Sequence, residues 1–242
     1  MSSKLSVELL RMILENVDDK ADLATICYVN KICCVCSQDI LYRNIDVENY
    51  SGLKVCQTLA QSIHLTERVR SFSVELDCKT DTVKTIAMAL QNMSSLRNLT
   101  LNFGDRYSPV LKRYSFSCDL KDDEILQDCL PNLTRVCTVY YWLPYLIPGR
   151  PVSEVSVLGS CLPLGASNLS IFALSTVPIE KLHIPYFYIY GEHVPRLASL
   201  FPSLAYLTIS DEASPVRVPF HFSNHWILSK YAIAHIKRCS MG

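Results

Sequence analysis

The sequence predicts an α/β protein, with a three-helix unit over residues 1–50 followed over residues 51–242 by a curved, irregular solenoid of strand–helix repeats. Two observations carry that expectation. Apolar residues near the N-terminus recur at helical spacing, and beyond about Ser51 one strand phrase returns six times. A third bounds the choice of partner: 23 basic and 23 acidic side chains cancel, so the footprint of a general nucleic-acid or membrane-surface binder is missing.

The helical unit reads in order. From Leu5, the positions Leu9, Leu10, Ile13, Leu14 and Val17 make the stripe of one buried helical face, which Asp18, Asp19 and Lys20 end. Asp22 is placed to cap a second helix carrying Leu23, Ile26 and Cys27, because a short carboxylate accepts the free amides of a first turn. Val29, Ile32, Cys33, Cys36 and Ile40 continue the stripe around Asn30 and Lys31, and Leu41, Tyr42, Arg43, Asn44 and Ile45 close the helical cluster.

The returning phrase is VRSFSVEL from Val69, LRNLTLNF from Leu96, LTRVCTVYY from Leu133, VSEVSVLG from Val152, IEKLHIPYF from Ile179 and LAYLTIS from Leu204. Each fits L-x-x-L-x-L, the strand pattern of a leucine-rich repeat. Successive starts lie 27, 37, 19, 27 and 25 residues apart, around the about 20–29 typical of such repeats, with an insertion near Asp105 to Asp122. Helices are expected at Thr82 to Met93, Asp122 to Cys129, Asn168 to Leu174 and Glu192 to Leu200. One strand and one helix cannot cover their own apolar face, so the units must stack. Leu99 and Leu101 then point into a shared core while Asn98, Thr100 and Asn102 face the concave side. The sequence stops at Gly242 soon after the last phrase, so the expectation is a shortened array whose residues after about Ser210 exchange amide hydrogens quickly.

Little in the sequence points to chemistry. Only 7 glycines occur, with no GxGxxG or GxxxxGK[ST] string, which removes a glycine-cradled phosphate site. Cys33 and Cys36 form a C-x-x-C beside Cys34, but no second ligand pair follows for zinc, and the pair lies inside a helix instead of opening one after a strand. His221 and His225 lack the intervening glutamate of a metalloprotease helix. With 11 cysteines and 6 histidines a thiol enzyme is conceivable, yet no local signature selects a pair. No cofactor, metal or catalytic residue is therefore assigned. Lys4, Glu8, Arg11 and Glu15 interrupt any signal-peptide core, and the apolar run Val139 to Ile147 contains Pro144 and falls short of the about 20 residues a bilayer needs. The expected location is cytoplasmic or nuclear, where N-x-[ST] triplets at Asn49, Asn92, Asn98, Asn132 and Asn168 stay unglycosylated. Cys27, Cys33, Cys36, Cys129 and Cys137 read as core filling in a reducing cell. The basic residues Arg217, Lys230, Lys237 and Arg238 read as a solvated end.

Aromatic residues gather at Tyr140, Tyr141, Trp142 and Tyr145, and again at Tyr186, Phe187, Tyr188 and Tyr190. Both groups follow a strand, where repeat loops form a rim, and exposed Tyr or Trp there would anchor a protein substrate.

The strings LSVELLRMILENVDDKADLATICYVNK and DILYRNI, in that order, resemble an F-box of the fungal, basidiomycete type over Leu5 to Ile45. The resemblance implies a non-catalytic adaptor subunit: the helices dock on the Skp subunit of a Skp/cullin/F-box ubiquitin ligase, and the repeat region holds a substrate protein. Carried onto this sequence, the docking face is Leu5, Ser6, Val7, Leu10, Ile13 and Leu14, completed by Leu23, Val29, Leu41 and Tyr42. Ser6 replaces the usual proline and Cys33 the usual aromatic, changes that lower adaptor affinity. The competing readings are a terminal helical cap on a repeat scaffold with no ligase connection and, more distantly, the thiol enzyme.

Overall fold

A computed structural model describes residues 6–48, 52–76, 80–103, 129–158, 169–185, 200–211 and 214–218. Three short polar side chains start the three N-terminal helices. Ser6 Oγ accepts from the Leu9 amide at the head of α1 (Val7–Leu14), an Asp19 carboxylate oxygen from the Ala21 amide at α2 (Lys20–Ile26), and Asn30 Oδ1 from the Cys33 amide at α3 (Lys31–Leu41). The cap of α2 is thus Asp19 and not Asp22, because Asp19 has the extended backbone that frees its carboxylate to turn back, whereas Asp22 already lies in the first turn. Leu14, Leu23 and Cys36 form a small core of their own, flanked by Leu10, Val17, Ile26, Ile40 and Leu41.

The helical cluster ends earlier than expected. Asn44 and Ile45 belong to a strand, β1 (Asn44–Val47), so the sheet starts inside the segment assigned to the helical unit. The reason is visible in the phrase: Tyr42, Ile45 and Val47 occupy the three apolar positions of L-x-x-L-x-L, with tyrosine in place of leucine. The remaining strands are β2 (Ser71–Leu76), β3 (Asn98–Phe103), β4 (Arg135–Val139), β5 (Glu154–Leu158), β6 (Lys181–Pro185), β7 (Tyr206–Asp211) and β8 (Ser214–Val218). All six predicted strands are present, each beginning two residues after its phrase does. They lie side by side in chain order, parallel from β1 to β7, and β8 folds back antiparallel on β7 in an open sheet.

Register follows the phrase. Ile45, Phe72, Leu99, Val136, Val155, Leu182 and Leu207 stand opposite one another in one row, all buried. Two residues on, Val47, Val74, Leu101, Thr138, Val157 and Ile184 form a second buried row. The first apolar residue of each phrase sits in the turn before its strand. The amides of Val69, Leu96, Leu133 and Leu204 each donate to the carbonyl three residues earlier, on Thr66, Met93, Leu130 and Phe201, and both ends of each turn are buried.

Helices cover the apolar face. α4 (Leu53–Gln61) and α5 (Ile63–Thr66), which the sequence reading did not identify, bury Cys56, Leu59 and Leu65 against it, and α6 (Thr80–Gln91) packs along α4 with Ile86, Ala89 and Leu90. Gly52 lets α4 approach β1, since a Cβ there would stand 2.7 Å from Val47 Cγ1. The stretch expected as a helix from Asn168 is a 3-10 helix over Leu169–Leu174, whose Phe172 meets Phe201 edge-on at 5.6 Å. The helix expected at Asp122 to Cys129 apart from Cys129, and that at Glu192 to Leu200 apart from Leu200, lie outside the described residues.

Among the described residues one charge is fully inside. Arg150 is 1% exposed and donates to the carbonyls of Cys129 at 2.9 Å, Tyr145 at 2.8 Å and Pro148 at 3.2 Å, while burial lowers its pKa. It ties the backbone before β4, at Cys129, to the backbone after it, at Tyr145 and Pro148, and satisfies carbonyls there.

The register makes a direct prediction. Leu99→Ala removes a side chain from the centre of a buried row and should cost about 2–5 kcal/mol, whereas Ser73→Ala on the opposite face should change stability by less than about 0.5 kcal/mol. Urea unfolding of the two variants checks it; equal costs would mean that the strand faces are misassigned.

Candidate functional site

Two surfaces qualify, one on the helical unit and one on the sheet. In α1 six of eight residues are apolar, and only Leu10 and Leu14, one turn apart, turn into the small core. Leu9, Met12 and Ile13 stay exposed on the other side, with Val7 at the start of the helix. Beyond α2, Tyr28 is 90% and Val29 67% exposed, and Ile32 and Val35 on α3 are exposed as well. Of the thirteen large apolar side chains exposed among the described residues, eight lie between Val7 and Val35.

The ten sequence-assigned docking residues divide accordingly. Val7, Ile13 and Val29 are exposed; Ser6 is the exposed cap of α1. Leu10 and Leu41 are half-buried against the small core, and Leu14 and Leu23 are inside it, at 3% and 2% exposure, where they support the surface without forming it. Tyr42 packs against the core of the sheet. Leu5 lies outside the described residues. Leu9, Met12, Tyr28, Ile32 and Val35 were not assigned to the docking face; the signal for the four on α1 and α3 was that these helices are apolar on more than one face.

The open face of the sheet carries two polar rows. One runs Asn44, Ser71, Asn98, Arg135, Glu154, Lys181 and Tyr206. Here Glu154 Oε2 takes Arg135 Nε at 3.0 Å and Lys181 Nζ at 3.3 Å, and the same ammonium lies 5.8 Å from the centre of the Tyr206 ring. The other row is Asp46, Ser73, Thr100, Cys137, Ser156, His183 and Thr208. Cys137, expected as core filling, therefore faces outward, because the phrase places Val136 and Thr138 inward and the residue between them on the opposite side. Burial raises the Cys137 thiol pKa, and bonds to Ser156 and Thr100 partly offset that. Cys137 and His183 stand two strands apart, about 9–10 Å at the usual strand spacing, beyond the reach of a nucleophile and its base.

The first aromatic group does not form an exposed rim. Its strand stops at Val139, and Tyr140–Trp142 turn into a 3-10 helix that carries the Trp142 ring into the core at 5% exposure. Tyr140 packs half-buried against the same core, and Tyr145 is half-buried. The side chain of Tyr141 and the second group, Tyr186, Phe187, Tyr188 and Tyr190, lie outside the described residues, as do His221 and His225. Among the described cysteines Cys36 and Cys56 are buried and Cys27, Cys33, Cys34 and Cys129 half-buried. Within the described residues no group of three or more His, Cys, Asp or Glu side chains could hold a metal ion, and no helix is long and apolar enough to cross a membrane. No family model matches the chain, and no curated protein is significantly similar to it.

Two measurements follow from these environments. Burial lowers the His183 pKa below its unfolded value of about 6.5, so the unfolded chain binds the proton first and stability falls as pH drops below that value, until the lower folded pKa is passed. His183→Gln should remove that part of the loss between pH 7 and 5; an unchanged profile would exclude the assignment. Burial also pushes Cys56 up to about 11, so peptide mapping after iodoacetamide treatment at pH 8 should find Cys33 and Cys34 alkylated well before Cys56.

Proposed function

We propose that the chain is a substrate-recruiting, non-catalytic subunit of a Skp/cullin/F-box ubiquitin ligase. The helical unit docks on the Skp adaptor, and the sheet belongs to a leucine-rich-repeat-like solenoid that holds a substrate protein. The observation that carries the reading is the apolar surface of α1, the α2–α3 turn and α3, a concentration of exposed aliphatic side chains met nowhere else among the described residues. A helix-and-groove contact draws its free energy from such side chains, and Ile13 and Val29 are its central anchors. The chain-order parallel sheet, with one phrase per strand, supports the solenoid. A substrate held on its open face would be brought to high effective concentration beside the ligase's ubiquitin carrier, with no chemistry performed by this chain.

Ile13 and Val29 are the informative positions, because Leu10 and Tyr42 also support the two cores. Purified chain should retain recombinant Skp adaptor in a pull-down. Ile13→Asp and Val29→Asp should each weaken retention at least about tenfold while leaving the thermal midpoint within a few degrees. A wild-type chain that retains no adaptor refutes the ligase reading and leaves a repeat scaffold.

A further inference from the structure

The seam between the helical unit and the sheet encloses a solvent-open cavity of about 650 Å³. Four arginines reach it from separate stretches: Arg11 on α1, Arg43 in the turn before β1, and Arg68 and Arg70 in the turn before β2. The carboxylates lining it are Asp39 and Glu67. Asp39 is shared between Arg11 and Arg68. Arg43 pairs with Glu15 at 2.9 Å, and Arg70 donates to the Ser95 carbonyl at 3.1 Å, a neutral acceptor. Even with Glu15 counted, guanidinium groups outnumber carboxylates.

We propose that this cavity binds a phosphate-class anion, as a phosphomonoester or a short polyphosphate. The Asp39 and Glu15 bridges and the Arg68 bond to the Val35 carbonyl join the two units, and Arg68 also donates to the His64 carbonyl; Arg70, and the guanidinium edges these contacts leave over, remain for a ligand. Guanidinium forks match tetrahedral phosphate oxygens, and several forks converging from different directions suit a dianion better than a carboxylate. The volume lies within the roughly 300–1,000 Å³ of small-ligand pockets, which leaves space for the group that bears the phosphate. Because the arginines come from both units, a bound anion ties the helices to the sheet and raises the unfolding temperature.

The test uses the full chain at fixed ionic strength, with inorganic pyrophosphate in one arm and a phosphoserine peptide beside its unphosphorylated twin in the other. Calorimetry and the thermal midpoint are the readouts. At least one phosphorylated probe should bind and raise the midpoint, with sodium chloride at matched ionic strength having no such effect. The double substitution Arg43→Gln with Arg70→Gln should weaken binding at least about tenfold. Glu67→Gln, which removes an exposed carboxylate that repels the anion, should tighten it a few-fold, and this variant decides the matter should the double variant not fold by circular dichroism. The stronger arm identifies the source, a free polyphosphate or a phosphorylated segment of a protein. Absence of binding by both probes, or binding that neither substitution alters, overturns the proposal.

Discussion

The sheet depends on one backbone motif repeated at the start of each strand from β2 to β7. The carbonyls of Arg43, Arg70, Arg97, Thr134, Ser153 and Glu180 each accept two consecutive amides from the next strand, at 2.7–3.1 Å. Each acceptor lies just before its own strand, so each of these six strands is fixed to its predecessor before the ladder itself begins. This pins the register, and with side chains alternating at period two, a slip of one residue would turn both buried rows out to solvent. The insertion between β3 and β4 and the short link between β4 and β5 leave the motif intact, because it needs only the turn and not a constant loop length. Buried turn anchors such as Met93 with Leu96 and Phe201 with Leu204 hold that turn from below.

The same motif reaches into the helical unit. Arg43, the first acceptor, lies two residues beyond α3, and the adjacent residues Leu41 and Tyr42 pack into different cores, the helical one and the sheet's. No linker separates the two units at this point. Asp39 bridging Arg11 and Arg68, together with the Arg68 bond to the Val35 carbonyl at 3.3 Å, makes the connection lateral as well as covalent. Whatever docks on the helices is therefore held at a set orientation to the sheet.

How much of this was legible in the sequence can be judged residue by residue. The strands were, because L-x-x-L-x-L records both the turn anchor and the two buried rows, and the fixed two-residue offset arises since its first leucine belongs to the turn. β1 was hidden by Tyr42 standing in for that leucine directly after a helix. α4 was hidden because its buried stripe rests on a cysteine, Cys56, and a single leucine, Leu59, between polar residues. Cys137 and Trp142 misled in opposite directions. Composition makes cysteine look buried and a strand-end tryptophan look exposed, whereas register sets the first and the chain's turn after Val139 the second. The arginine cavity was illegible, since its members are far apart in sequence and only the seam assembles them.

The uneven distribution of exposed apolar surface follows from element length. A sheet several strands wide, backed by helices, has a wall for each inward side chain, and both of its apolar rows are used. An eight-residue helix resting on two short neighbours has a wall for about one stripe, yet α1 carries apolar residues well beyond it. At about 25 cal/mol for each Å² of apolar area, the surface left over is association free energy that folding does not consume. The open sheet face is the converse case: Glu154 already pairs with Arg135 and Lys181, and Thr100 and Ser156 already bond the Cys137 thiol, so contacts at these groups exchange one set of polar bonds for another and discriminate among ligands more than they attract them. In the proposed adaptor, affinity therefore resides in the helices and selectivity in the sheet, the division of labour that one constant and one variable partner require.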